Sequence, residues 1–141
     1  MDVTALPFNQ MIGLQAEDVE GGWLVSLPAS REYDNHLGTV HAAALLAVAE
    51  AGSAVALLRH LGEAEGYVPV VRRLESKFHN PARGRVAARG TIPPEEVARA
   101  SEALGTRGRV RISVAVEVVD ESGTVAMSAV VEWFITSRAR A

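Results

Sequence analysis

Glu50 places a carboxylate in the middle of the most apolar stretch of the chain. Between Val40 and Leu58 every position is Ala, Val or Leu except His41, Glu50, Gly52 and Ser53. An ionised carboxylate in a dry core costs more than a fold can spare, so Glu50 must be paired, neutral or open to a cavity. Pairing would fall to an arginine such as Arg72 or Arg73. If Glu50 instead faces a cavity, partial desolvation raises its pKa and makes it a capable base toward water. Two other polar features cluster just upstream: Asn35-His36, and His41 at the start of the apolar run.

Helical geometry then restricts what these groups can do together. In a continuous helix from 41 to 50, nine residues turn about 900° and rise roughly 13 Å, which puts His41 and Glu50 on opposite faces. One chain cannot bring both to a single reacting atom. Cooperation requires a second copy, with the site lying across a two-fold interface and occurring twice. The first turn of the helix offers unpaired N–H groups and partial positive charge. Thr39-Val40-His41-Ala42-Ala43 keeps side chains small there, so the Ala42 amide is placed to polarise a carbonyl and hold a developing oxyanion.

The elements that must position these groups are legible as patterns. "MIGLQAEDV" and "WLVSLPAS" read as strands joined by a hairpin at Glu20-Gly21-Gly22, and "REYDNHLGT" reads as a loop. Thr39 is the expected N-cap of a central helix over about 40–60, with Gly62 as its stop. "YVPVVRRLESKFHNP" alternates, with Val70, Leu74 and Phe78 expected on one face and Val71, Arg73, Lys77 and His79 on the other. "ARGRVAARGTI" reads as another strand. "PPEEVARASEALG" has Pro first, acids in its opening turn and Gly105 last, a short helix or long connection. "RVRISVAVEVVDESGTVAMSAVVEWFIT" is a hairpin of two long strands turning at Glu121-Ser122-Gly123. One long apolar helix and about six mostly antiparallel strands fit an α+β architecture, a curved sheet wrapped around the helix. A partner subunit would cover what the sheet leaves open.

Composition narrows the function classes. The 141 residues are 48% hydrophobic and 22% charged, the balance of one globular domain spanning 1–141. There is no cysteine, which excludes disulfides, thiolate catalysis and Cys-ligated zinc. The four histidines have no consistent metal-ligand spacing, so no metal is expected. Glu50, the weak hydrophobicity of Ala and the near absence of basic flanks argue against a membrane span. The opening MDVTALPFNQ lacks signal-peptide features, and a cytoplasmic location is expected. The net charge of −3 is uneven: residues 1–71 carry 2 basic and 9 acidic side chains, and residues 72–111 carry 10 and 4. A basic middle third suits a phosphate-bearing ligand or a solvated strand face. Nucleic acid is disfavoured by the overall acidity and the lack of any nucleic-acid-binding motif.

"NHLGTVHAAALLAVAEAGS" resembles the signature of hotdog-fold acyl-CoA thioesterases of the PaaI-like type: Asn, then G-T/V-x-H-G-G, then an acid nine residues after the His. Asn35, Gly38, His41 and Glu50 match in order and spacing, and "FHNPARG" over 78–84 resembles the strand end that follows. The resemblance implies a hotdog fold and hydrolysis of an acyl-CoA to free acid and CoA. Glu50 would be general base or nucleophile, Asn35 would position water or substrate, and the Ala42 amide would face the thioester oxygen. His41 would orient the turn. Arg83, then Lys77 and Arg107, would meet the phosphates of coenzyme A, which enters as part of the substrate with no separate cofactor. A homodimer or a dimer of dimers is implied. The chain departs from the pattern at Ala42-Ala43, where the family often has Gly-Gly. It also has Val71 where some members place a strand serine.

Two other functions fit parts of the pattern. A hotdog hydratase or dehydratase would pair His36 with Glu50 across the dimer, but its Pro-Gly-rich approach to the helix is missing. A non-catalytic acyl-CoA-binding or sensor module would bind the same ligand without turnover.

Overall fold

The central helix, α2 (Ala42–Leu61), is built from a run that favours it intrinsically, since Ala and Leu have the highest helix propensities. In the computed structural model, which describes residues 1–18, 22–62 and 66–138, it lies in the concave face of one antiparallel sheet. The strands are β1 (Gln15–Ala16), β2 (Val25–Leu27), β3 (Tyr67–Phe78), β4 (Val86–Thr91), β5 (Arg109–Asp120) and β6 (Val125–Ser137). Their order across the sheet is β1-β2-β4-β5-β6-β3. This is the expected curved sheet around a single long helix.

Period-two patterning decides which face of the sheet meets α2. Val110, Ile112, Val114, Val116 and Val118 of β5 are buried, while Arg109, Arg111, Ser113 and Ala115 between them are exposed. On β6 Met127, Ala129, Val131, Trp133 and Ile135 alternate inward, and Ala126 beside them is buried as well. Small residues let the helix sit very close to this floor. A Cβ on Gly52 would fall 2.7 Å from the Ala88 Cβ, so helix and sheet are in contact there with no room for one methyl. Two hydrogen bonds pin the same turn: Trp133 Nε1 donates to Ser53 Oγ (3.0 Å), and Ser53 Oγ donates to the Glu50 carbonyl (2.7 Å).

β3 departs from the simple alternation. Its register against β6 shifts between Val71 and Arg73, where Arg72 is an extra residue forming a β-bulge. The bulge flips the face on which later side chains emerge. Val71, Leu74 and Phe78 pair with the inward-facing Trp133, Val131 and Met127, while Val70, Arg73 and Lys77 pair with Phe134, Glu132 and Ser128. Val70 and Val71 therefore exchange the faces that uninterrupted alternation predicts. β3 is also the sheet's edge, and Val70, Val71 and Phe78 are exposed along it.

The N-terminal segment is not the expected strand. Pro7–Met11 forms a short helix, α1, with Pro7 at its first turn, and only Gln15 and Ala16 pair as β1. Buried Asn9 ties α1 to the preceding 3₁₀ turn by donating to the Val3 carbonyl (2.8 Å). Of the expected turn at Glu20-Gly21-Gly22, Glu20 and Gly21 lie outside the described residues. α3 (Pro94–Arg107) runs through Gly105 and stops at Gly108, whose left-handed φ of 67° and N–H to the Leu104 carbonyl close its last turn. It turns Ala100, Ala103 and Leu104 inward, against β5, β6 and the end of α2.

Candidate active site

The turn before α2 is shaped by Asn35. Its Oδ1 accepts from the N–H groups of Leu37 (2.9 Å) and Thr39 (3.2 Å), and its Nδ2 donates to Thr39 Oγ1 (2.9 Å). Gly38, at φ 68°, supplies the left-handed residue that closes this loop. Thr39 is thus occupied within the loop and does not cap the helix. Val40 and His41 remain extended, because the Val40 N–H donates to the Ala82 carbonyl (2.9 Å) and the His41 N–H to the Tyr33 carbonyl (2.7 Å). The N-cap is His41, whose Nδ1 accepts from the Ala43 N–H (3.0 Å). That bond leaves its proton on Nε2 and gives the imidazole an orienting role, outside the helix proper.

Ala42 is the first helical residue. Its N–H has no acceptor among the described residues, and Ala42 is exposed at the helix start. It lines a groove of about 320 Å³ with Asn35, Leu45, Phe78 and Pro81. The structure therefore brings Asn35, Ala42 and the "FHNPA" segment together beside one free amide.

Glu50 lies about 12 Å further along α2 and is half-buried. No cation pairs with its carboxylate among the described residues: Arg72 faces Glu132 (3.7 Å), and Arg73 pairs with Glu75. Desolvation raises its pKa above the ordinary carboxylate value. Ala43, Ala47, Ala54, Leu57 and Leu61 share its face at helical spacing. Phe8 and Ile12 of the N-terminal segment line a cavity of about 220 Å³ beside Ala43 and Ala47. Sequence patterning missed this wall, because α1 is too short to show a helical period.

The basic candidates do not converge. Arg83 lies beside the loop, its guanidinium 3.4 Å from the Gly38 carbonyl, and Lys77 sits on the outward face of β3 near the same end of the sheet. Arg107 ends α3, next to the opposite end of β5, roughly 30 Å of strand away. Arg107 therefore does not share one stretch of surface with Arg83 and Lys77. Val71 is on the inward face of β3, paired with Trp133.

The sequence pattern of a family described as a domain of unknown function (DUF4442) matches residues 2–135. The chain belongs to this family. This DUF4442 member matches no protein among those with curated descriptions. Its fold is that of hotdog thioesterases. A Pseudomonas aeruginosa protein of unknown function, described as a probable thioesterase, superposes with a TM-score of 0.81 at 25% identity, over 96% of this chain and 91% of that one. A thioesterase from Haemophilus influenzae superposes at 0.73 with 16% identity, over 96% and 87%. A Bacillus halodurans protein crystallised with CoA superposes at 0.62 with 19% identity, over 79% and 69%. α2 of the DUF4442 member is long and apolar enough to cross a membrane by length and composition, yet it is the helix packed inside the sheet.

The raised pKa of Glu50 has a consequence for stability. The folded chain disfavours the ionised carboxyl, so its contribution to stability falls as pH rises through the ordinary value of 4.5 and on through the raised one. Glu50→Gln removes that penalty. The variant is expected to melt above the parent at pH about 8, with the gap closing near pH 4, where the parent carboxyl is protonated. Calorimetry across this range checks it; a variant that melts lower at high pH contradicts the desolvated carboxylate.

Proposed function

We propose that the protein hydrolyses acyl-CoA thioesters at two equivalent sites, each shared between two copies of the chain. One observation carries this reading: an unpaired, desolvated carboxylate and an unpaired helix-start amide lie on one helix, too far apart to serve one carbonyl. A two-fold axis beside β3 resolves the separation. β3 is an edge of 12 residues with unused backbone groups and exposed Val70, Val71 and Phe78, which is what a continuous sheet through two copies requires. The two α2 helices would then run antiparallel, turning Glu50 of one protomer toward the groove at Ala42 of its partner. The CoA complex of the Bacillus halodurans relative supports a CoA-bearing ligand.

In the proposed reaction, Glu50 takes a proton from water as the water oxygen attacks the thioester carbon. The partner's Ala42 N–H receives the negative charge that develops on the carbonyl oxygen. The tetrahedral intermediate collapses by breaking the C–S bond. The proton passes to the departing sulfur, leaving a carboxylic acid and the thiol of CoA. Asn35 acts by holding the turn that presents Ala42. If Glu50 attacks directly as nucleophile, a mixed anhydride precedes hydrolysis at the same place.

A thiol-release screen with short, aromatic and long acyl-CoAs tests the proposal, with light scattering on the same samples. Hydrolysis by a dimer or higher assembly is expected. Conversion of a 3-hydroxyacyl thioester to its enoyl form without thiol release would make the protein a dehydratase. Ligand-induced thermal stabilisation with no turnover would make it a binding module. Either outcome overturns the hydrolase, and a monomer overturns the shared site.

A further inference from the structure

Resting on the thioesterase reading above, we infer that the far end of the acyl group lodges in a cavity at the C-terminal end of α2, so that the substrates are straight medium- to long-chain acyl thioesters. The cavity holds about 460 Å³, within the range of roughly 300–1,000 Å³ usual for small-molecule sites. Its wall includes Leu57, Leu58 and Leu61 of α2, Tyr67 and Pro69 of β3, and Leu104 of α3.

Position links it to Glu50. Leu57 and Leu61 follow Glu50 by 7 and 11 residues, which places all three on one face of the helix. They lie about 10 Å and 16 Å beyond the carboxylate along the axis. Between them the face carries Ala54, a single methyl. An acyl chain whose carbonyl sits beside Glu50 would run along this face of the helix toward the leucines.

Chemistry decides what the cavity accepts. Met1 and Arg138 complete the lining alongside Gly62 and Gly66, and the Tyr67 hydroxyl already donates to the Leu104 carbonyl (3.2 Å). That bond also ties β3 to α3, so the end wall is fixed in place. Among the described residues no buried side-chain nitrogen or oxygen lacks a partner. The leucines, Pro69 and the Tyr67 ring give methylenes contact and desolvation. The cavity of about 220 Å³ beside Phe8 lies toward the other end of α2 and holds about half the volume.

The test compares kcat/KM for butanoyl-, octanoyl-, dodecanoyl- and palmitoyl-CoA in the full chain, Leu61→Trp and Leu104→Phe. The parent is expected to favour the longer chains. Each filled-cavity variant should lower the dodecanoyl-to-butanoyl ratio by about tenfold or more. Dodecanoate should raise the melting temperature of the parent and do so less in both variants, a readout independent of turnover. A preference for short or aromatic acyl groups, or a ratio that moves with Phe8→Ala and with neither filled-cavity variant, overturns the assignment and leaves the hydrolase intact. Dodecanoate stabilisation lost in the variants, with no thioester cleaved by the parent, would uphold the cavity and refute the hydrolase.

Discussion

Replacing Glu50 with glutamine is expected to lower kcat for acyl-CoA hydrolysis by about 10²- to 10⁴-fold, the range a general base supplies. The amide keeps the size of the side chain and its place on α2, so the loss falls on proton transfer and not on folding. In the parent, kcat should rise with pH through a group titrating above the ordinary carboxylate range, because the ionised form is active and burial raises its pKa. The glutamine variant should lose that limb. His60→Ala, an exposed change in the last turn of the same helix, is the control and should match the parent. If Glu50→Gln keeps near-full activity, the carboxylate is not the base.

The second large effect concerns a backbone atom. Ala42→Pro is expected to lower kcat by about 10²- to 10³-fold, as loss of one oxyanion donor does, while leaving the melting temperature close to that of the parent. Proline replaces the N–H with a ring methylene, and that N–H has no acceptor among the described residues. Position N1 of a helix tolerates proline, and His41 already has the extended φ of −62° and ψ of 140° that a residue before proline adopts. Mixing this variant with Glu50→Gln gives a sharper result. In a hybrid of the two chains, one site carries both lesions and the other carries neither. Random re-pairing of two inactive proteins should restore about a quarter of the parental activity. No recovery after verified exchange of subunits would place the whole site within one chain.

The central helix and its lone half-buried carboxylate were legible because a single acid stands out in a run of Ala, Val and Leu, and the β5–β6 hairpin because its alternation is long. What was hidden depended on partners distant in sequence. Thr39 looks like an N-cap until Asn35 claims its hydroxyl and backbone, which moves the cap to His41. The face of Val70 could not be read, because the bulge at Arg72 is set by register against β6. Gly105 resembles a stop signal, but α3 buries Ala103 and Leu104 and continues until Gly108 can close the turn. Arg83 and Arg107 are neighbours in a basic third of the chain, yet opposite ends of β5 separate their surroundings. Charge runs carry no information about which end of a sheet they reach.

The contact between Gly52 and Ala88 works like a dowel through two planks. A helix seated that tightly cannot come closer to the sheet at this turn, and a larger side chain at either position would force the two apart. Related chains that adopt new cargo are therefore expected to change the lining at the seam or the end wall, and to leave this joint glycine against alanine.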